Sequence, residues 1–223
     1  RSRSRMIKDF SEVRHLAACY RRADLQTRLH VYARWILCPF HRILEHLPQS
    51  GDHLDVGCGH GILLTLMRRR NQTQLLKGVD ISTQKIEQTR WITSRNISFE
   101  VCDIQDLKPA SFDSISVVDV LYLLPSPMML GFLSACYVAL RPGGVLVIKE
   151  TSQTPRWKYN LTRLQEILAV KVFKVTEGWT VAIRPAQEIV SAIIQAGFTP
   201  PVIRRIDRGY LYPHTLFISR KHE

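Results

Sequence analysis

Apolar positions change their spacing as the chain proceeds, and each change marks a different kind of element. Residues 8–46 look helical, and within the stretch 24–48 Leu25, Leu29, Tyr32, Ile36, Leu37, Ile43, Leu44 and Leu47 recur near helical spacing. Pro39 interrupts that pattern and Pro48 ends it, because proline removes a backbone donor and clashes with the preceding turn. Short apolar runs then alternate with longer amphipathic ones. Strands are expected at His53–Val56, Leu76–Val79 (ending at Asp80), Ile97–Val101 (ending at Asp103), Ser114–Val120 (ending near Tyr122) and Val145–Ile148. Helices are expected at Ile62–Arg70, after Asp80 as far as Ile92, and over Pro127–Leu140, with RPGG at 141–144 turning the chain into the fifth strand. Strands separated by helices imply right-handed crossovers and a mainly parallel α/β sheet that binds ligands at its carboxyl edge.

The pattern changes again over 151–184, which is irregular and basic, with a helix expected over Leu161–Phe173. Helical spacing resumes in AQEIVSAIIQAG, where Gly197 is a stop signal. Two strand-like runs, Pro201–Ile206 and His214–Arg220, close the chain. The expected organisation is an N-terminal helical extension, 1–46, and a domain over 47–223 carrying a basic insert at about 151–184.

Composition narrows the class. The 223 residues are 45% hydrophobic and 22% charged, as in a globular domain, and no apolar run reaches the roughly 20 residues a membrane span needs. The opening RSRSRM has no apolar stretch behind it and makes a poor secretory signal. Five cysteines without C-x-x-C spacing argue against a disulfide framework or a zinc site, so no metal is expected and the expected location is cytoplasmic. Net charge is +12 and unevenly spread. Residues 47–150 carry ten basic and ten acidic side chains, whereas 1–46 carry ten and four, and 151–223 carry eleven and five. A neutral core with basic flanks suggests an anionic partner or contact with a membrane surface, beside the plainer reading of solvated charge.

The densest chemical signal is HLDVGCGHGILL at 53–64, with Gly57, Gly59 and Gly61 at alternate positions behind Asp55. A phosphate-binding loop needs Lys followed by Ser or Thr after its last glycine; Ile62 and Leu63 stand there. A dinucleotide fingerprint needs its third glycine where Ile62 stands. A third reading remains: a loop approaching an adenosyl ligand without phosphate, with carboxylates meeting its ammonium and hydroxyl groups.

Five motifs in order resemble those of the class I S-adenosylmethionine-dependent methyltransferases, of the bacterial stand-alone small-molecule kind. They are LDVGCGHG, GVDIS, VCDIQDL, VVDVLYLLP and LRPGGVLVIKE, and the resemblance spans about residues 50–220. It implies a Rossmann-like, seven-stranded sheet of order 3-2-1-4-5-7-6 whose last strand is antiparallel, with S-adenosylmethionine as cofactor. Asp55, Gly57, Cys58 and Gly59 would form the cofactor loop; Asp80, followed by Ile81, would bind the ribose hydroxyls. Asp103 would accept from the adenine amino group, Ile104 would cover the ring, and Asp119 would orient cofactor or acceptor. Taken singly, Asp80 or Asp103 could equally cap the helix that follows it.

An electrophilic methyl needs an aligned nucleophile more than acid–base help, and a base only where the acceptor is protonated. Tyr122, Glu150 and His214 are the catalytic candidates, with His60 a further one; Glu150 could instead pair with Lys149. Adenine-N6 and cytosine-C5 methylation are argued down, since DVLYLLP replaces the N/D-P-P-Y/F tetrapeptide and the nearest cysteine, Cys136, falls within a helix. Arg156, Trp157, Lys158 and Tyr159 in the insert are the expected acceptor contacts, because cations among aromatic platforms suit an anionic or lipid-like small molecule. The expectation is methyl transfer to an oxygen or nitrogen of such a molecule. An RNA methyltransferase, or a non-catalytic S-adenosylmethionine binder docking on nucleic acid or membrane, is the alternative.

Overall fold

A computed structural model describes residues 10–153 and 183–223. The expected helix at 161–173 and the acceptor candidates Arg156, Trp157, Lys158 and Tyr159 lie outside the described residues. The N-terminal pattern resolves into α1 (Phe10–Cys19), α2 (Leu25–Leu37) and α3 (Phe40–Leu44). Asp24 starts α2 by accepting the Thr27 amide at 2.7 Å, and Pro39 separates α2 from α3.

The strands are β1 (His53–Val56), β2 (Leu76–Asp80), β3 (Ile97–Val101), β4 (Phe112–Val118), β5 (Leu140–Thr151), β6 (Val202–Arg205) and β7 (His214–Arg220). They form one sheet of order β3-β2-β1-β4-β5-β7-β6, as expected. β1–β5 pair in parallel, while β7 runs antiparallel to both β5 and β6. Between the strands lie α4 (Ile62–Arg70), α5 (Thr83–Glu87), α6 (Ser126–Ala139) and α7 (Ala186–Gln195).

Alternation along the strands sorts side chains onto two faces. Leu54, Val56, Ile115, Val117, Leu146 and Ile148 pack against α6 and α7, around Leu133 and Ile193. On the other face Val118, Val145 and Val147 pack with Leu16 of α1, Ile43 of α3 and Leu63 and Leu66 of α4. That second face has a polar strip at its centre, formed by His53 and Asp55 of β1 beside Ser114 and Ser116 of β4, all buried.

Three elements depart from the sequence expectation for local reasons. β4 stops at Val118 because Asp119 turns into the left-handed region, φ +57°, and a single 3-10 turn (Leu121–Leu123) follows. α5 ends at Glu87 rather than Ile92, where the amide and the hydroxyl of Thr89 both donate to the Ile86 carbonyl, a tighter bond than the helix allows. β5 begins at Leu140, so RPGG lies inside the strand, with an irregularity in its pairing between Phe112 and Ser114.

Candidate functional site

The carboxyl edge of β1 and β4 opens into a cleft of about 180 Å³ between the glycine loop and α2. Asp55, Gly57, Cys58, Gly59, His60, Asp119 and Tyr122 line it, joined by His30 and Arg34 from α2 and Lys85 from α5. The cleft therefore collects most of the loop residues expected from sequence. Asp80, Ile81, Asp103 and Ile104 stand at or just past the ends of β2 and β3, outside this lining.

The three glycines of the loop all have positive φ, but for different reasons. A Cβ on Gly57 would fall 2.4 Å from Val120, and one on Gly61 would fall 2.4 Å from Phe99, so both are fixed by protein packing. A Cβ on Gly59 would meet nothing within 4 Å. Its bare backbone faces open space, which is the fit an approaching ligand requires. The Gly59 amide donates to Asp80 Oδ2 at 2.9 Å, and the Ser82 amide donates to Oδ1 at 2.9 Å. Each Asp80 oxygen keeps a lone pair for a ligand hydroxyl. Asp103 caps the turn Ile104–Asp106 by accepting the Gln105 amide at 3.0 Å; Ile104 is buried beneath and Ile81 is exposed.

Asp55 is 3% exposed. Burial, with the Asp80 charge nearby, pushes its carboxyl up to about 7, against the opposing Ser116 hydrogen bond and Arg34. Asp119 is the reverse case. Burial disfavours its charge, yet Lys149 Nζ at 2.5 Å and Arg34 Nη1 at 2.9 Å hold the carboxyl well below the usual range. A left-handed aspartate anchored by two cations costs backbone strain that surrounding contacts must offset. Arg34 carries no motif signal; only the packing of α2 against the β4 end shows that it reaches the cleft.

Two of the catalytic candidates, Glu150 and His214, sit away from the cleft lining. Glu150 is buried, and its Oε1 accepts the Val120 and Leu121 amides at 2.9 and 2.7 Å, so it fastens the turn that carries Tyr122 instead of facing the cleft. Burial and the Asp119 charge raise it to about 8. His214 is buried outside the lining and holds the Leu37 carbonyl through Nε2 at 2.9 Å. Burial and Lys149 push its imidazole down to about 3, which makes it a weak base. Its Nδ1 has no hydrogen-bond partner among the described residues. Tyr122 alone of the three lines the cleft. His60 does so too, its ring tilted 50° against that of His30 at 4.8 Å and its imidazole pushed down to about 4 by burial first and by His30. The Tyr20 hydroxyl donates to the His60 carbonyl at 2.5 Å and ties the N-terminal helices to the loop.

Comparison with known proteins places these features in context. A family model described as a methyltransferase domain matches residues 28–199. The ubiquinone biosynthesis O-methyltransferase of Neisseria meningitidis serogroup C is 32% identical over 151 residues, 65% of this chain and 62% of that protein. The chain thus spans less than two thirds of that relative's length. Among solved structures, a SAM-dependent methyltransferase from Methanosarcina mazei superposes with TM-score 0.61 at 19% identity, over 81% of this chain and 97% of the other. One from Mesorhizobium loti gives 0.62 at 16%, over 85% and 98%. At such identities these two likenesses establish the fold.

Proposed function

The chain belongs to the class I S-adenosylmethionine-dependent methyltransferases, and from that premise we propose that it transfers a methyl group from S-adenosylmethionine to an oxygen of a small, lipid-like acceptor. The observation that carries the cofactor half is Gly59, whose bare backbone faces the cleft between Asp55 and Asp80. The cofactor supplies a methyl carbon that is electrophilic without further activation. Asp55 and Asp80 would receive its ammonium and ribose hydroxyls, and Asp103 its adenine, leaving Tyr122 at the cleft wall to orient the acceptor. The residues' task is alignment of the two reacting groups.

Two observations support the acceptor class. The Neisseria relative is named for O-methylation in ubiquinone biosynthesis. On this chain, α2 presents Leu25, Leu29 and Ile36 at 68, 61 and 49% exposure on one face, with Arg21, Arg22 and Arg28 exposed beside them. An apolar ridge edged with arginine suits the surface of an anionic membrane, and the same helix lines the cleft. Among the described residues no helix is long and apolar enough to cross a membrane.

The test is release of S-adenosylhomocysteine with a catechol bearing a prenyl tail, the same catechol without the tail, and RNA. Turnover favouring the tailed catechol is expected. Turnover on RNA alone would overturn the acceptor reading, and failure to bind S-adenosylmethionine would overturn the cofactor reading as well.

A further inference from the structure

A polar strip lies on the sheet face that otherwise packs aliphatic side chains against α1, α3 and α4. β1 and β4 pair in register, His53 opposite Ser114 and Asp55 opposite Ser116. All four residues are buried, His53, Ser114 and Ser116 completely. Their neighbours on that face, Val118, Leu63 and Leu66 among them, are aliphatic. Buried polar groups must all be satisfied, and replacing a satisfied set by packed aliphatic residues is often neutral or stabilising. A buried polar quartet ending at the cleft therefore calls for a role beyond packing.

Its hydrogen bonds run in one direction. Ser116 Oγ donates to Asp55 Oδ1 at 2.5 Å, so its single proton is committed. His53 Nε2, 3.0 Å from the same Oγ, must then be the donor. That leaves Nδ1 as the acceptor, 2.8 Å from Ser114 Oγ, which donates to it. Burial pushes the imidazole down to about 3, so the ring is neutral and carries one proton, as this chain of bonds requires. Each donor points towards the Asp55 carboxylate.

We propose that Ser114, His53 and Ser116 form a positioning relay that orients the Asp55 carboxylate and favours its ionised form for a cationic group of the cofactor. The inference rests on the cofactor reading above. Without the relay, the ionised neighbours acting on Asp55 among the described residues are Asp80 from β2 and Arg34 from α2; the Cys38 and Cys58 thiols beside it are pushed up by burial and stay neutral. Lys85, His30, His60, Asp119 and Tyr122 are the other charged and titratable side chains that line the cleft among the described residues.

Two measurements test the relay. The first is the pH dependence of S-adenosylhomocysteine affinity for the wild type and Ser116→Ala. Removing a hydrogen bond to the charged form raises a carboxyl's pKa, so the acid limb of the variant's profile should move up by about one pH unit, with affinities converging above it. An unmoved limb, or equal weakening at every pH, would overturn the proposal. The second is the nitrogen chemical shifts of His53 in the wild-type protein near pH 8. Protonated Nε2 with bare Nδ1 is expected; the opposite tautomer would overturn the relay even if Ser116→Ala does not fold. A wild type that binds no S-adenosylhomocysteine at any pH would refute the cofactor reading, while the tautomer would still decide the relay.

Discussion

Asp55 sets stability against binding. Its carboxyl sits near 7 in the folded protein and near 3.9 in the unfolded chain, so between about pH 4 and 7 the folded state holds the extra proton. Stability from this group is complete below the lower value and declines as pH rises through the upper one. Asp55→Asn should therefore raise the melting temperature of the ligand-free protein at pH 8 and flatten this part of its pH dependence, while weakening cofactor binding. Thermal melts at pH 5 and 8 check it; a variant less stable at pH 8 would contradict the burial argument. Asp119 behaves oppositely, because Lys149 and Arg34 stabilise its charged form. Lys149→Met leaves that buried carboxylate half-paired, and a loss of about 3 kcal/mol is expected in a denaturant titration.

α2 shows how one helix serves three surroundings. Thr27 and Val31 face the core, His30 and Arg34 face the cleft, and Leu25, Leu29 and Ile36 face outward. Replacing both Leu25 and Leu29 by Glu should cut binding to phosphatidylglycerol vesicles more than about tenfold, since each leucine contributes up to ~1.5–3 kcal/mol when buried. Stability should change by less than about 1 kcal/mol, as at other exposed sites. Equal vesicle binding by the variant would refute the proposed membrane face. The spacing of leucines made α2 legible from sequence, and the glycines and aspartates at strand ends marked the cofactor loop. Other features needed three dimensions. Arg34 meets Asp119 across 85 positions, and Ser114 and Ser116 meet His53 and Asp55 only through the β1–β4 register. Glu150, expected beyond a fifth strand ending at Ile148, falls inside β5, and the amides it accepts come from a turn whose path the apolar pattern does not reveal.

Across the molecule, charge and chemistry are separated. The central segment 47–150, electrically balanced, supplies the glycine loop and the strand-end carboxylates, while the surplus of twelve positive charges resides in the flanks. Attraction to anionic surfaces should accordingly weaken with added salt, whereas cofactor affinity, set inside the cleft, should change little. The account stands on the claim that the Gly57–Gly61 loop receives an adenosyl-amino-acid ligand. Calorimetric titration of S-adenosylmethionine into the wild type and Gly59→Leu tests that most directly. The account predicts one-to-one micromolar binding to the wild type and none to a folded Gly59→Leu, whose side chain would occupy the space left open at that backbone; undiminished binding to the variant, or none to the wild type, would contradict it.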